Sequence, residues 1–273
     1  MIFILTSWLL MLYSPPQKSD IYYVVHVNGL ILNETRHDTL SVGDRLFSTD
    51  KLAFKSPQAS AAIISPTKGR FTLGKPLNKK TSAKGEFIAL LQNVLVGEKS
   101  IAKLSTRGFM ADKITDLKSV FASDTFYFTG SQSKLILDPA VHPISNEQYF
   151  MYRYTYQHDK IARKKIPHSG DTLIFDKKIL YSVNNHSLIP EETGEIEIHK
   201  VNGKLRNSTL IATLRPVFIT DKQLLIELQT IYDVFKKSKK EEILEEMYKH
   251  VLAVYGETDK NMLKIWANEH VKI

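Results

Sequence analysis

From Tyr22 to Leu73 the apolar residues come in short runs, and each run ends at a turn signal. Tyr22–Val27 stops at Asn28-Gly29, Leu30–Leu32 at Asn33-Glu34-Thr35, and Leu40-Ser41-Val42 at Gly43-Asp44-Arg45. Lys51–Phe54 stops before Ser56-Pro57, Ala61–Ile64 at Ser65-Pro66, and Arg70–Leu73 at Gly74-Lys75-Pro76. Gly and Asn reach positive φ at low cost, and Pro has no N–H to give a ladder, so these signals predict reversals between strands. The pattern describes a small antiparallel β unit over 20–76. Alternation within its first run places Tyr23, Val25 and Val27 on one face and Tyr22, Val24 and His26 on the other.

The strand pattern returns after Asp116. Thr125–Thr129, Lys134–Leu137, Tyr149–Tyr156, Lys160–Ile166, Thr172–Phe175, Ile179–Val183, Gly194–Lys200 and Thr209–Arg215 are separated by turn-forming residues, which predicts a second antiparallel β-sandwich over 119–219. In the densest run, Phe150, Tyr152, Tyr154 and Tyr156 share one face. Between the β regions, 77–118 reads as a Lys-rich linker followed by a short helix carrying Phe87, Leu90, Leu91, Val94 and Leu95. The period then changes to that of helices. Leu224, Leu228, Ile231 and Phe235 form one stripe, and Leu244, Met247, Val251 and Val254 form another, so 220–273 is expected to be a helical hairpin, with Asn261–Val271 as a candidate third helix. The predicted fold class is mainly β (α+β).

Residues 22–73 resemble the FecR-like domain, an extracytoplasmic β-sandwich of envelope signalling and surface proteins. The resemblance rests on Val27-Asn28-Gly29, on Val42-Gly43-Asp44-Arg45-Leu46 after Leu40, on Asp50-Lys51-Leu52 with Phe54, on Ala59–Ile64, and on Gly69-Arg70-Phe71-Thr72-Leu73. In the iron-citrate sensor relatives it would imply a cytoplasmic arm that contacts a sigma factor. The residues ahead of Tyr22 are too few for such an arm, so the architecture alone is expected to carry over.

Composition narrows the picture further. The 273 residues are 43% hydrophobic and 24% charged, an ordinary globular balance that allows two domains. Thirty-seven Lys+Arg against 29 Asp+Glu give a net charge of +8, which suits an anionic partner, although the lysines are scattered rather than banded. Zero cysteines exclude disulfides, thiolate catalysis and Cys-ligated zinc. Met1–Tyr13 is an uncharged apolar run, short for a spanning helix and of the length of a secretory h-region. Segment 1–19 is therefore read as an export signal, giving a periplasmic or membrane-associated protein with no integral membrane span. It lacks a preceding Lys or Arg and a small-residue cleavage site, so an interfacial anchor or a buried strand are its alternatives, and without a signal the protein is cytoplasmic.

Candidate chemistry is sparse. The nine histidines include no His-x-His or His-x-x-x-His pair, and in His37-Asp38 and His158-Asp159 adjacent strand residues point to opposite faces, so no metal site is assigned. Neither a nucleophile elbow nor a Gly-rich phosphate loop occurs, and no catalytic residue or cofactor is assigned. The binding candidates are Tyr152, Tyr154 and Tyr156 with Arg163 and Lys164, where alternating aromatics beside cations suit a sugar ring, a base or another protein's side chains. The opposing and favoured reading makes Phe150, Tyr152 and Tyr154 core residues of the sandwich, with hydroxyls reaching its rim. Arg107, beside Gly108, is a candidate anion contact in a turn. The functional expectation is a non-catalytic, envelope-associated binding or scaffold protein with a protein partner or an anionic cell-surface polymer. The alternatives are a hydrolase between the β domains, marked by His142, His158, His168 and Asp171, and an intracellular nucleic-acid binder.

Overall fold

A computed structural model of the chain describes residues 20–74, 113–157, 159–271 and 273. The expected export segment, the connector helix at 87–95, and Arg107 and His158 lie outside the described residues. The chain divides into two compact units, 1–95 and 96–273, and among the described residues it is mainly β with helices at its C-terminal end.

The first unit contains β1 (Ile21–Asn28), β2 (Ile31–Asn33), β3 (Asp38–Thr39), β4 (Arg45–Phe47), β5 (Leu52–Phe54), β6 (Ser60–Ser65) and β7 (Gly69–Gly74). They form an antiparallel sheet of order β4-β1-β6-β7 and a smaller one of order β3-β2-β5. Tyr22, Val24, Ile31, Leu46, Leu52, Ala61, Ile63 and Leu73 fill the core between them. A bulge between Val24 and His26 corrects the simple alternation: Val27 packs on the same core as Tyr22 and Val24, opposite Ala61. One extra residue shifts the parity of everything after it. Leu40-Ser41-Val42 is not a strand either. Leu40 is buried, but Gly43 at φ 96° donates its N–H to Val24 O and Asp44 accepts from the Ser41 N–H, folding the stretch into a turn beside β1.

The second unit contains helix α1 (Leu117–Val120), then β8 (Thr125–Phe128), β9 (Gln132–Ile136), β10 (Gln148–Tyr156), β11 (Lys160–Lys165), β12 (His168–Ser169) and β13 (Thr172–Asp176). Helix α2 (Lys177–Leu180), β14 (Ser182–Val183), β15 (His186–Ser187), β16 (Ile196–Asn202), β17 (Asn207–Phe218) and helices α3 (Asp221–Phe235), α4 (Lys240–Val254) and α5 (Lys260–His270) follow. A five-stranded sheet, β11-β10-β16-β17-β8, and a three-stranded sheet, β12-β13-β9, send their inward side chains into one core. The large sheet is not purely antiparallel, because β8 pairs parallel to β17. The expected strand at Ile179–Val183 begins as a helix: Asp176 accepts from the Ile179 N–H as N-cap, and the turn buries Leu180. A local cap outweighs β propensity there.

The predicted apolar stripes of the terminal helices are buried at Leu224, Leu228 and Ile231 on α3 and at Leu244, Met247 and Val251 on α4. The third helix forms too. α5 packs against β9 and α4, and its Met262 joins the sheet core. Gly130, at φ 78° after β8, locks this end: a Cβ there would lie 2.3 Å from both Asp221 Oδ1 and Trp266 Nε1. Asp221 accepts from the Ser131 N–H and hydroxyl and from the Trp266 indole, tying the β8–β9 turn to α3 and α5. Burial pushes the Asp221 carboxyl up, but the Ser131 and Trp266 hydrogen bonds and nearby His270 outweigh it and hold it below its ordinary value.

Candidate functional site

Strand β10 has two faces of opposite character. Phe150, Tyr152 and Tyr154 point inward, at 1%, 0% and 2% exposure. Tyr152 and Tyr181 share a hydroxyl–hydroxyl hydrogen bond of 2.9 Å, and the Tyr154 hydroxyl donates to Leu180 O at 2.9 Å. Tyr154 and Tyr181 stack, with ring centroids 5.5 Å apart. Burial pushes the Tyr152 phenol well above its ordinary value, and burial with Tyr156 nearby pushes Tyr154 up to about 12. Tyr152 and Tyr154 are thus out of reach of a ligand, because the strand's inward parity commits them to packing. Tyr156 is half-buried on the same side and packs on that core. Lys164 stands opposite Tyr152 and is half-buried. Of Tyr152, Tyr154, Tyr156, Lys164 and Arg163, the candidates among the described residues, Arg163 is the one on the solvent face.

That solvent face is built by β11, β10, β16 and β17. Antiparallel register places Arg163, Arg153, Glu197 and Thr213 in one row, and Lys165, Met151, His199 and Leu210 in the next. Each row crosses four strands, about 14 Å at the usual strand spacing. Ile161, Leu210 and Val217 are 40%, 46% and 39% exposed, and Arg163, Lys165, Thr213 and Arg215 are exposed as well. Glu197 is the acidic residue of these rows. It takes hydrogen bonds from His199 Nε2, at 2.7 Å, and from Arg153 Nη1, which together hold its carboxyl below the usual range against partial burial. Arg163 faces Arg153 with no carboxylate of its own among the described residues, and Lys165 lies over the Tyr149 ring, 4.9 Å from its centroid.

Two cations side by side on a sheet repel, so Glu197 supports Arg153 while Arg163 stays unbalanced. Sequence reasoning singled out Arg163 but missed Arg153, Glu197, His199 and Arg215. Glu197 and His199 were legible as an i, i+2 pair on one strand face. Their meeting with Arg153 depends on which strands are neighbours.

A second polar cluster lies among the helices. Glu227 on α3 and His250 on α4 are both wholly buried, with His250 Nε2 to Glu227 Oε2 at 2.8 Å. The Tyr255 hydroxyl donates to Glu227 Oε1 at 2.9 Å and Gln223 Nε2 donates to the same oxygen at 3.0 Å. Burial and the Glu227 charge push the Tyr255 phenol far up. Each group has a partner, and the arrangement ties α3 to the end of α4.

The residues proposed for a hydrolase have separate local roles. His142 Nε2 bonds Thr115 O at 2.9 Å, His168 Nδ1 bonds Gly170 O at 3.3 Å, and Asp171 pairs with Lys113 at 3.0 Å, so these three, the ones among the described residues, are not joined in one hydrogen-bonded constellation. Among the described residues no cluster of three or more His, Asp or Glu is placed to hold a metal ion, and no helix is long and apolar enough to cross a membrane. No known family model, curated protein or solved structure matches this chain.

Proposed function

We propose that this protein is a non-catalytic binding or scaffold protein of the cell envelope, acting through contacts with another macromolecule at the outer face of β11-β10-β16-β17. The observation that carries the reading is the composition of that face: exposed Ile161, Leu210 and Val217 interspersed with exposed Arg163, Lys165 and Arg215. Apolar side chains left in water beside unneutralised cations suit a contact surface better than a solvated one. The envelope location rests on the apolar run Met1–Tyr13 and on the FecR-like pattern of 22–73, with which the small antiparallel unit is compatible.

The test places a photo-crosslinking amino acid at Leu210 in the native cell, and at Ile189, which is 54% exposed and off this face, as the control. A discrete adduct from position 210 and none from 189, with the protein in the envelope fraction, is the expected result. Equal labelling from both positions ends the binding assignment for this face. Recovery of all the protein in the cytoplasm ends the envelope assignment.

A further inference from the structure

We infer that the outer sheet face takes an acidic, amphipathic polypeptide segment of a partner protein, with Arg163 and Lys165 as its anchors; this rests on the binding reading above and specifies its ligand. Charge complementarity comes first. Arg153, Arg163, Lys165 and Arg215 face outward against Glu197, whose Oε2 is engaged by both Arg153 and His199. A cross-strand Arg–Arg pair with one carboxylate, already held by Arg153 and His199, leaves Arg163 unbalanced in the free protein, and a partner carboxylate inserted at Arg163 relieves that.

Spacing comes second. Arg163 and Lys165 are two residues apart on β11, about 7 Å at strand rise. Carboxylates one helical turn apart, about 6 Å, or two residues apart on an extended strand, match that interval. Met151 and Leu210 lie in the row of Lys165, and Ile161 lies beyond Arg163 on the same strand, so apolar side chains of the segment meet apolar ones beside the ion pairs.

The same face argues against the two other anionic polymers. Single-stranded nucleic acid stacks its bases on open aromatic rings, and polysaccharides use such rings as platforms. Tyr149 is the outward-facing Phe, Tyr or Trp of these four strands, and Lys165 lies over its ring.

The experiment measures binding of the full chain to a fluorescent Glu-Leu copolymer and to poly-L-glutamate of equal length, with a sulfated polysaccharide and a single-stranded oligonucleotide as competing probes. The expected result is that the copolymer binds more tightly than poly-L-glutamate. Its affinity should fall steeply with salt and weaken about tenfold in R163E/K165E, while K222E/K236E, at exposed lysines of the helical region, leaves it unchanged. R163A/K165A, with thermal melts of all variants, separates charge loss from misfolding.

Equal weakening by both charge reversals would reduce the effect to net charge and overturn the assignment. Tighter binding of the polysaccharide or the oligonucleotide, with the same dependence on Arg163 and Lys165, would overturn the polypeptide as occupant. If no probe binds while Leu210 still yields its adduct in the cell, this inference falls and the binding reading stands. Loss of both results would remove the binding reading with it.

Discussion

Among the helices of the second unit, Glu227 and His250 are wholly out of water and bonded to each other, with the Tyr255 hydroxyl and the Gln223 amide directed at the same carboxylate. On the outer sheet face of the same unit, Arg153 and Arg163 stand side by side, with a single carboxylate serving Arg153 and His199. Burial leaves no alternative to local pairing, because an unpartnered charge inside costs several kcal/mol. Water removes that compulsion at the surface, so an unbalanced cation survives there and remains free to pair with something else. The difference teaches where to look: full internal satisfaction marks a structural joint, and incomplete satisfaction in the open marks a contact surface.

The comparison breaks most clearly at Glu227. E227A removes the acceptor of buried groups and is expected to lower unfolding stability by about 3–5 kcal/mol, read as a shift in the urea midpoint at constant slope. A change near zero would mean that the cluster is not the joint described. At Gly130, Ala would hold a left-handed φ and push its Cβ into Asp221 and Trp266, so G130A is expected to cost about 3 kcal/mol by the same measurement.

The tyrosine core gives a smaller and pH-dependent effect. Y152F removes the hydroxyl pair with Tyr181 and should cost about 1 kcal/mol. Tyr152 and Tyr255 are raised by burial, and Tyr154 and Tyr248 are pushed up to about 12, all above the unfolded value of about 10. Between those values the unfolded chain holds fewer protons than the folded one. Stability from these phenols is therefore fully present below about pH 10 and is lost as pH rises through the folded values. Absorbance titration of phenolate should show a late group of tyrosines that ionises together with loss of structure, and early titration of all of them would contradict the burial. The smallest effect belongs to the sheet face. R163A removes one half of a like-charged pair and should leave the denaturation midpoint unchanged or slightly raised, whereas a clear loss of stability would make Arg163 a structural residue after all.

Much of this was legible along the chain. The turn signals at Asn28-Gly29, Ser65-Pro66 and Gly74 delimit real strands, the alternation of β10 assigned Phe150, Tyr152, Tyr154 and Tyr156 to one face, and the stripes at Leu224 and Met247 are the buried sides of α3 and α4. The failures have physical causes. The bulge after Val24 reset the parity of β1, the Asp176 cap turned an apolar run into a helix, and Tyr152 and Tyr154 were grouped with Arg163 although their strand points them away from it.

Local periodicity and turn chemistry are properties of consecutive residues, so the sequence by itself determined the class of fold, most of its elements and the aromatic row of β10. Neighbour relations between distant segments are not periodic in the chain. That β8 runs parallel to β17, that Glu227 meets His250, and that Glu197 is held between Arg153 and His199 while Arg163 is left over were decided when the packed core fixed the order of the strands and the crossing of the helices. The candidate contact face exists only as a consequence of that order.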